Sequence, residues 1–555
     1  MVSKSKRIFI YQIFTRTFGN KNLTRKRSGS YEENGAGKMN DIDAQVLRQV
    51  RSLGITHVWY TGVIRHAMAT SYSSYGIPNQ HESIVKGKAG SPYAITDYYD
   101  VDPDLANDVT RRMEEFRALV RRTHEAGLKV IIDFVPNHVA REYQSVKKPL
   151  CVRDLGEDDD CSKFFYAQNN FYYCPNEPFM PHFDLKGYEE FPAKCTGNDC
   201  FCNHPGTNDW YETVKLNYGV DYSDYGAQHF NPIPSTWKKM TDILLYWTNE
   251  GIDGFRCDMA EMVPTEFWAY ASQRLKAAHP GIILIGEVYN PSLYRNYLSS
   301  GFDYLYDKVG MYDCLRAVIC QQRAASDISN QWQATDDIGS QMLYFLENHD
   351  EQRIASDFFC CDAQKAIPGM MLCAWLRNNP VMVYAGQEFG ERGMDDEGFS
   401  GVDGRSTIFD YWTVESIYRG FFKRSTLSSG QLKLEREYQR ILNLANKEDA
   451  LRDGDMFDLM YVNGESCNFN PKEQFAFLRK NGNELLFICI NFSSEPRFSK
   501  VLIPDHVFDF LHIKEGKYEG IYLLTGEKQM DSWTRGTPIS IQTNAYSGSV
   551  IKYML

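Results

Sequence analysis

The 555-residue chain contains no apolar run of the length needed to cross a bilayer. No glycine-rich phosphate loop follows any of its apolar stretches, which argues against a nucleotide-binding protein. Positive charge is in deficit: 60 Lys and Arg face 72 Asp and Glu, for a formal net charge of -12. Neither nucleic acid nor an anionic membrane surface is therefore an expected partner. The 14 cysteines fit no standard zinc spacing. Several sit in apolar stretches as small hydrophobes (Cys257, Cys373, Cys489), while a cluster runs from Cys151 to Cys202. Free thiols, disulfides and a metal site all remain open for that cluster, with free thiols favoured in a reducing compartment. The N-terminus, MVSKSKRIFIYQIFTR, has basic residues and a short apolar run. Tyr11, Gln12 and Arg16 interrupt the run and no small-residue cleavage site follows, so it reads as a first strand and the chain is expected to be cytoplasmic.

What is present is a regular alternation. Apolar strands are expected at 8–14, 57–64, 129–136, 254–258, 282–288, 302–306, 343–346 and 381–385. Helical patterns separate most of them, at 41–53, from Asp108 to about 125, 236–249, 264–278 and 356–376. Strand–helix alternation argues a parallel sheet, and the repeat number argues a (β/α)8 TIM barrel. An open doubly wound sheet is the alternative. Between His138 and about Tyr222 the periodicity breaks down, and a structureless loop of that length is improbable in a compact domain. The expected organisation is a barrel from 1–138 and 223–445, an inserted small domain at 139–222, and a C-terminal all-β sandwich at 446–555. That last region is a series of short strands with turn signals such as Asn481-Gly482. The insert's aromatics (Phe164, Phe165, Tyr166, Phe171, Tyr172, Tyr173) read first as its own core, and second as a lining for distal ligand positions.

Polar residues collect at the C-terminal ends of the strands: Asp133, Asn137 and His138; Arg256 and Asp258; Glu287; His349 and Asp350. In a barrel that end carries the active site. Arg256 and Asp258 share one face of their strand, and charges at the end of an apolar strand are costly unless paired or used. Each alone has an ordinary reading as an ion pair, but delivery of acids and histidines to one mouth from separate strands is hard to explain by solvation. Carboxylates without a histidine cluster suit acid/base and nucleophilic chemistry, such as the cleavage of an acetal.

These segments resemble glycoside hydrolase family 13, the α-amylase family, over nearly the whole chain. The matching stretches are DFVPNH (133–138), GFRCD (254–258), GEV (286–288) and ENHD (347–350), in the family's order. Weaker echoes are YQIFTRTF near the start, KLN (215–217) and VYAGQEFGE (383–391). The resemblance implies a retaining mechanism with Asp258 as nucleophile, Glu287 as general acid and then base, and Asp350 binding the hydroxyls of the distorted sugar. It implies that Arg256 keeps Asp258 ionised and aimed, that Asp133 braces Arg256, and that Tyr93, His138, His349 and Arg353 bind substrate. The implied partner is an α-glucan oligosaccharide, with no organic cofactor. The resemblance leaves a calcium ion open, with Asn137 as the matching ligand. Glu261 and Met262 stand where many relatives carry Lys-His, the lysine usually contacting substrate and the histidine helping to hold calcium, while the insert offers hard oxygen donors. Ala94, after the stacking tyrosine, favours endo action on starch or maltodextrin. An α-glucosidase or transglycosylase would use the same acids, and a non-catalytic glucan-binding relative would typically have lost one of them.

Overall fold

The computed structural model describes residues 7–466 and 468–555. Its centre is an eight-stranded parallel sheet formed by β1 (Phe9–Phe14), β2 (His57–Thr61), β3 (Lys129–Phe134), β4 (Gly254–Cys257), β5 (Ile283–Gly286), β6 (Tyr304–Tyr306), β7 (Met342–Leu343) and β8 (Val381–Tyr384). The spatial order is β7-β6-β5-β4-β3-β2-β1-β8. The two edges meet in a parallel bridge between Tyr344 and Val381. Its hydrogen bonds run from Tyr344 N–H to the Pro380 carbonyl and from Met382 N–H to the Tyr344 carbonyl, both 3.0 Å. The sheet is thus closed on itself, which excludes the open doubly wound alternative.

Strand alternation sorts the side chains into two sets. Ile10, Trp59, Ile131, Ile285, Tyr306, Leu343 and Met382 fill the barrel interior. Phe9, Tyr11, Ile13, Val58, Val130, Ile132 and Phe255 face outward into a larger core with the surrounding helices. β4 is the exception inside. Its register sets Arg256 beside Asp133 on one neighbour and Ile285 on the other, so it delivers a guanidinium where other strands deliver apolar groups.

Between β3 and β4 the chain forms small antiparallel ladders. His138–Ala140 pairs with Thr213–Lys215, and Tyr173–Cys174 pairs with Ala193–Lys194. Phe164, Phe165 and Phe179 pack with Tyr172, Cys174 and Cys195 in a local core, as expected of three of the six aromatics, whereas Phe171 and Tyr173 join the main core and Tyr166 is exposed. Cys174 and Cys195 lie with sulfurs 3.9 Å apart, and Cys200 and Cys202 3.4 Å apart; all the described cysteines are free thiols. After helix Ser429–Lys447 come a six-stranded antiparallel sheet and a separate two-stranded one, forming a C-terminal β domain.

Several expected elements differ. The helix expected over 356–376 is only Ile367–Trp375, behind a 3-10 turn at Ala363–Ala366. Pro368 sits in its first turn, where the missing N–H costs nothing, and Cys361 before it has a left-handed backbone (φ 62°) that no helix accommodates. The helix expected from residue 41 starts at Ala44, because Asp43 caps it by accepting from Gln45 N–H and Val46 N–H. Strands Asp455–Asp458 and Lys528–Trp533 were not anticipated. Both are polar edge strands, and charge on an edge hides the apolar alternation that reveals a strand.

Candidate active site

Arg256 organises the C-terminal mouth of the barrel. It is wholly buried and donates to Asp258 Oδ1 at 2.6 Å. A second guanidinium nitrogen lies 2.8 Å from Glu287 Oε2, and Asp133 Oδ1 is 3.5 Å away. The rings of Trp59, Tyr93 and Tyr306 surround its charge at 5.4, 5.3 and 5.8 Å, a favourable cation–π cage. Burial works against this charge, but Glu287 and the other facing groups outweigh it and hold the guanidinium protonated. Asp133 faces Arg256 at ion-pair distance but makes no hydrogen bond to it. It accepts from Trp59 Nε1 at 3.1 Å, and burial pushes its carboxyl up to about 6 despite Arg256. Burial also raises Asp258 well above the usual carboxylate range, with Arg256 the strongest opposing influence.

Glu287 is held from three sides. Tyr289 donates its hydroxyl to Oε1 at 2.6 Å, Met259 donates its backbone N–H to Oε2 at 2.7 Å, and Arg256 closes on the same oxygen. The Met259 contact depends on a left-handed backbone at that residue (φ 43°). This conformation is costly for a non-glycine residue and tends to occur where function requires it. Tyr289 was missed as a site residue. Its position two after Glu287 in an extended segment could have signalled it.

His349 and Asp350 arrive after β7. Gln12, on the inner face of β1, donates to His349 Nδ1 at 2.8 Å, which leaves the ring proton on Nε2. Nε2 is 3.1 Å from Asp350 Oδ2 and in close contact with the Tyr93 hydroxyl. Burial, reinforced by Arg256, pushes the imidazole well below its usual value, so it is neutral. Burial likewise brings His138 down to about 3. Asp350 keeps 38% of its side chain exposed. It lines the cavity, and burial with nearby Glu287 pushes its carboxyl up to about 7.

A cavity of about 240 Å3 is lined by Tyr93, His138, Asp258, Glu287 and Asp350, with Trp210, Ile408 and Phe409 adding apolar wall. The insert also contributes Glu212, paired with Lys86 at 3.0 Å; neither was expected. Larger clefts exist elsewhere. One of about 860 Å3 at the opposite mouth is lined by strand starts such as Ile8, His57 and Lys129 and gathers no comparable set of acids. Arg353, expected to contact substrate, is not in the cavity wall. It is fully enclosed, donating to Glu347 at 2.8 Å, Ser406 at 2.9 Å and the Ala385 carbonyl at 3.0 Å, and stacking on Tyr384.

Asn137 does not fit the role of calcium ligand. Its side-chain oxygen accepts a close hydrogen bond from the ammonium of Lys215, and its amide nitrogen donates to the Gly197 carbonyl at 2.8 Å. Among the described residues no group of three or more His, Cys, Asp or Glu side chains is placed to hold a metal ion.

The model of the alpha amylase catalytic domain matches residues 12–429. Alpha-amylase 3 of Dictyoglomus thermophilum is 22% identical over 473 residues, covering 81% of this chain and 79% of the relative. Neopullulanase 2 of Thermoactinomyces vulgaris is 21% identical, over 76% of this chain and 61% of its own length. The chain spans only about half of some other relatives, such as 50% of a Streptomyces lividans alpha-amylase. Among solved structures, the maltogenic alpha-amylase AmyB of Thermotoga neapolitana superposes with a TM-score of 0.64 at 19% identity, over 99% of both chains. The acarbose complex of a Geobacillus thermoleovorans alpha-amylase gives 0.65 at 18% identity, over 99% of this chain and 98% of that one.

Proposed function

The chain belongs to the alpha-amylase family of glycoside hydrolases, and from that premise we propose that it cleaves α-1,4-glucosidic bonds of maltodextrins with retention of configuration. The observation that carries the reading is the single Arg256 fork spanning Asp258 and Glu287. One guanidinium serving both carboxylates holds them together at the cavity, as a pair acting on one glycosidic bond requires, and retention is the outcome the family resemblance implies.

In this reading the sugar at the cleavage point rests on Tyr93, with His138, His349 and Asp350 taking its hydroxyls. Asp258 attacks the anomeric carbon as Glu287 gives its proton to the departing glycosidic oxygen, forming a β-glycosyl ester. Glu287, now a carboxylate, takes a proton from the water that breaks the ester and restores the α-anomer. Asp350 binds more strongly as the ring flattens, which is where a contact raises the rate. Both histidines are neutral, able to donate one hydrogen bond and accept another; Asp258, raised by burial against the pull of Arg256 rather than held ionised by it, must lose its proton before it can attack. The cavity, about 240 Å3, is small beside the roughly 300–1,000 Å3 of typical ligand sites and would receive the ring at the cleavage point. On the same reading, residues 139–222 form the small domain that walls the pocket with Trp210 and Glu212, and 446–555 the C-terminal domain.

The test is a product time course on maltoheptaose with Asp258→Asn as control. Mixed short products, appearing first as α-anomers and only with the wild type, are expected. Glucose alone at early times would indicate an α-glucosidase, and products longer than the substrate a transglycosylase. Inert wild type on this and a panel of α-glucosides would overturn the catalytic reading.

A further inference from the structure

We infer that Lys215 is a covalently tethered cation standing where a calcium ion would otherwise join the insert to the barrel, and that the protein is independent of calcium for that reason. The Lys215 side chain is 2% exposed, and its ammonium lies 2.7 Å from Asp199 Oδ1. It donates closely to Asn137 Oδ1 and, at 3.4 Å, to the Met262 carbonyl. An amide oxygen, a carboxylate and a main-chain carbonyl are hard oxygen donors of the kind calcium recruits. Here they converge on one ammonium, whose three N–H groups match them in number.

The three partners come from three separate segments. Asn137 follows β3 and precedes His138 of the pocket. Met262 ends the 3-10 turn Ala260–Met262, four residues beyond Asp258. Asp199 belongs to the insert and holds a left-handed backbone (φ 63°), a strained conformation that persists only when its surroundings fix it. Lys215 itself lies directly opposite His138 in the antiparallel ladder. One positive charge thus ties the insert to the segments after β3 and β4.

A divalent ion at this point would have to expel the ammonium and would find a single carboxylate, Asp199. Glu261, the nearest other acid in the turn, is committed to the backbone N–H groups of Tyr289 and Asn290 at 2.9 and 3.0 Å. The inference does not depend on which bond the enzyme cleaves, and its test reads stability rather than turnover.

The full-length wild type and two variants, Lys215→Met and Lys215→Asp, are melted in EDTA and in millimolar calcium chloride. Wild-type Tm is expected to be the same in both. Lys215→Met, which leaves Asp199 and Asn137 without their cation, is expected to melt roughly 2–4 °C lower. Lys215→Asp supplies a second carboxylate and is expected to melt low in EDTA and recover in calcium, with binding visible by calorimetric titration of the metal alone. A wild-type Tm that falls in EDTA and returns with calcium overturns the inference, whatever the variants do. So does a Lys215→Met protein as stable as the wild type.

Discussion

Removing one hydroxyl, in Tyr289→Phe, separates the acid's positioning from the rest of the machinery. The Tyr289 hydroxyl is 2.6 Å from Glu287 Oε1, and it is the only one of the carboxylate's three holders that a conservative change deletes. A hydrogen bond between neutral groups is worth about 0.5–1.5 kcal/mol, and each ~1.4 kcal/mol is tenfold in rate. Because Glu287 carries its proton into this step, the expected loss is about three- to tenfold in kcat/KM on a maltooligosaccharide. The informative control is an α-glycosyl fluoride. Fluoride departs without a proton, and kcat/KM reports only events up to the first irreversible step, so the later base role of Glu287 does not enter. On the fluoride the variant should match wild type within about twofold. Equal losses on both substrates would mean that Tyr289 holds sugar or scaffold rather than the acid. No loss on the oligosaccharide would mean that the hydrogen bond does no positioning.

Asp350→Asn should stabilise the protein while abolishing activity. Burial raises the folded-state carboxyl to about 7 from an ordinary value of about 3.9, so the folded chain binds the extra proton between those values and loses stability as pH rises through them. The variant's Tm should exceed wild type at pH 7.5, with the difference gone near pH 4; a variant less stable at both would refute this. Arg353→Met should cost about 3–5 kcal/mol in denaturant unfolding by orphaning buried Glu347, with kcat/KM of the folded fraction near wild type. A rise in KM instead would place Arg353 against substrate. Asp258→Asn should reduce kcat by about 10^4-fold or more, in keeping with the loss of an activated nucleophile.

The parts of the site that could be read in advance are those that strand geometry alone determines. Arg256 and Asp258 alternate past a residue whose side chain points away, so their common face was dictated before any contact was known. Arg353 shows where such reasoning ends. Four residues beyond His349, it lies in a loop of turns and bends, where no period relates sequence spacing to side-chain direction, and it turns into the protein toward Glu347. The cation at Lys215 was equally hidden, since Asn137, Asp199 and Met262 are brought together only by the folded insert. In the C-terminal domain the apolar strands Gln474–Asn481 and Glu484–Asn491 stood out, whereas polar Lys528–Trp533 carries no such signature.

The barrel is stitched unevenly, and this bears on how it grips a sugar. β1 and β2 share five register pairs, and β4 has four with each of its neighbours, whereas β6 and β7 share two and the closing seam rests on the lone Tyr344–Val381 bridge. Asp258 therefore rides on the densely laced half, Glu287 at its border, since β5 shares four pairs with β4 but two with β6, and Asp350 on the half with fewest main-chain ties, where local opening costs least. On the proposed reading, the bond-making pair thus stands nearer the heavily laced strands, and the hydroxyl-binding carboxylate follows one of the least laced.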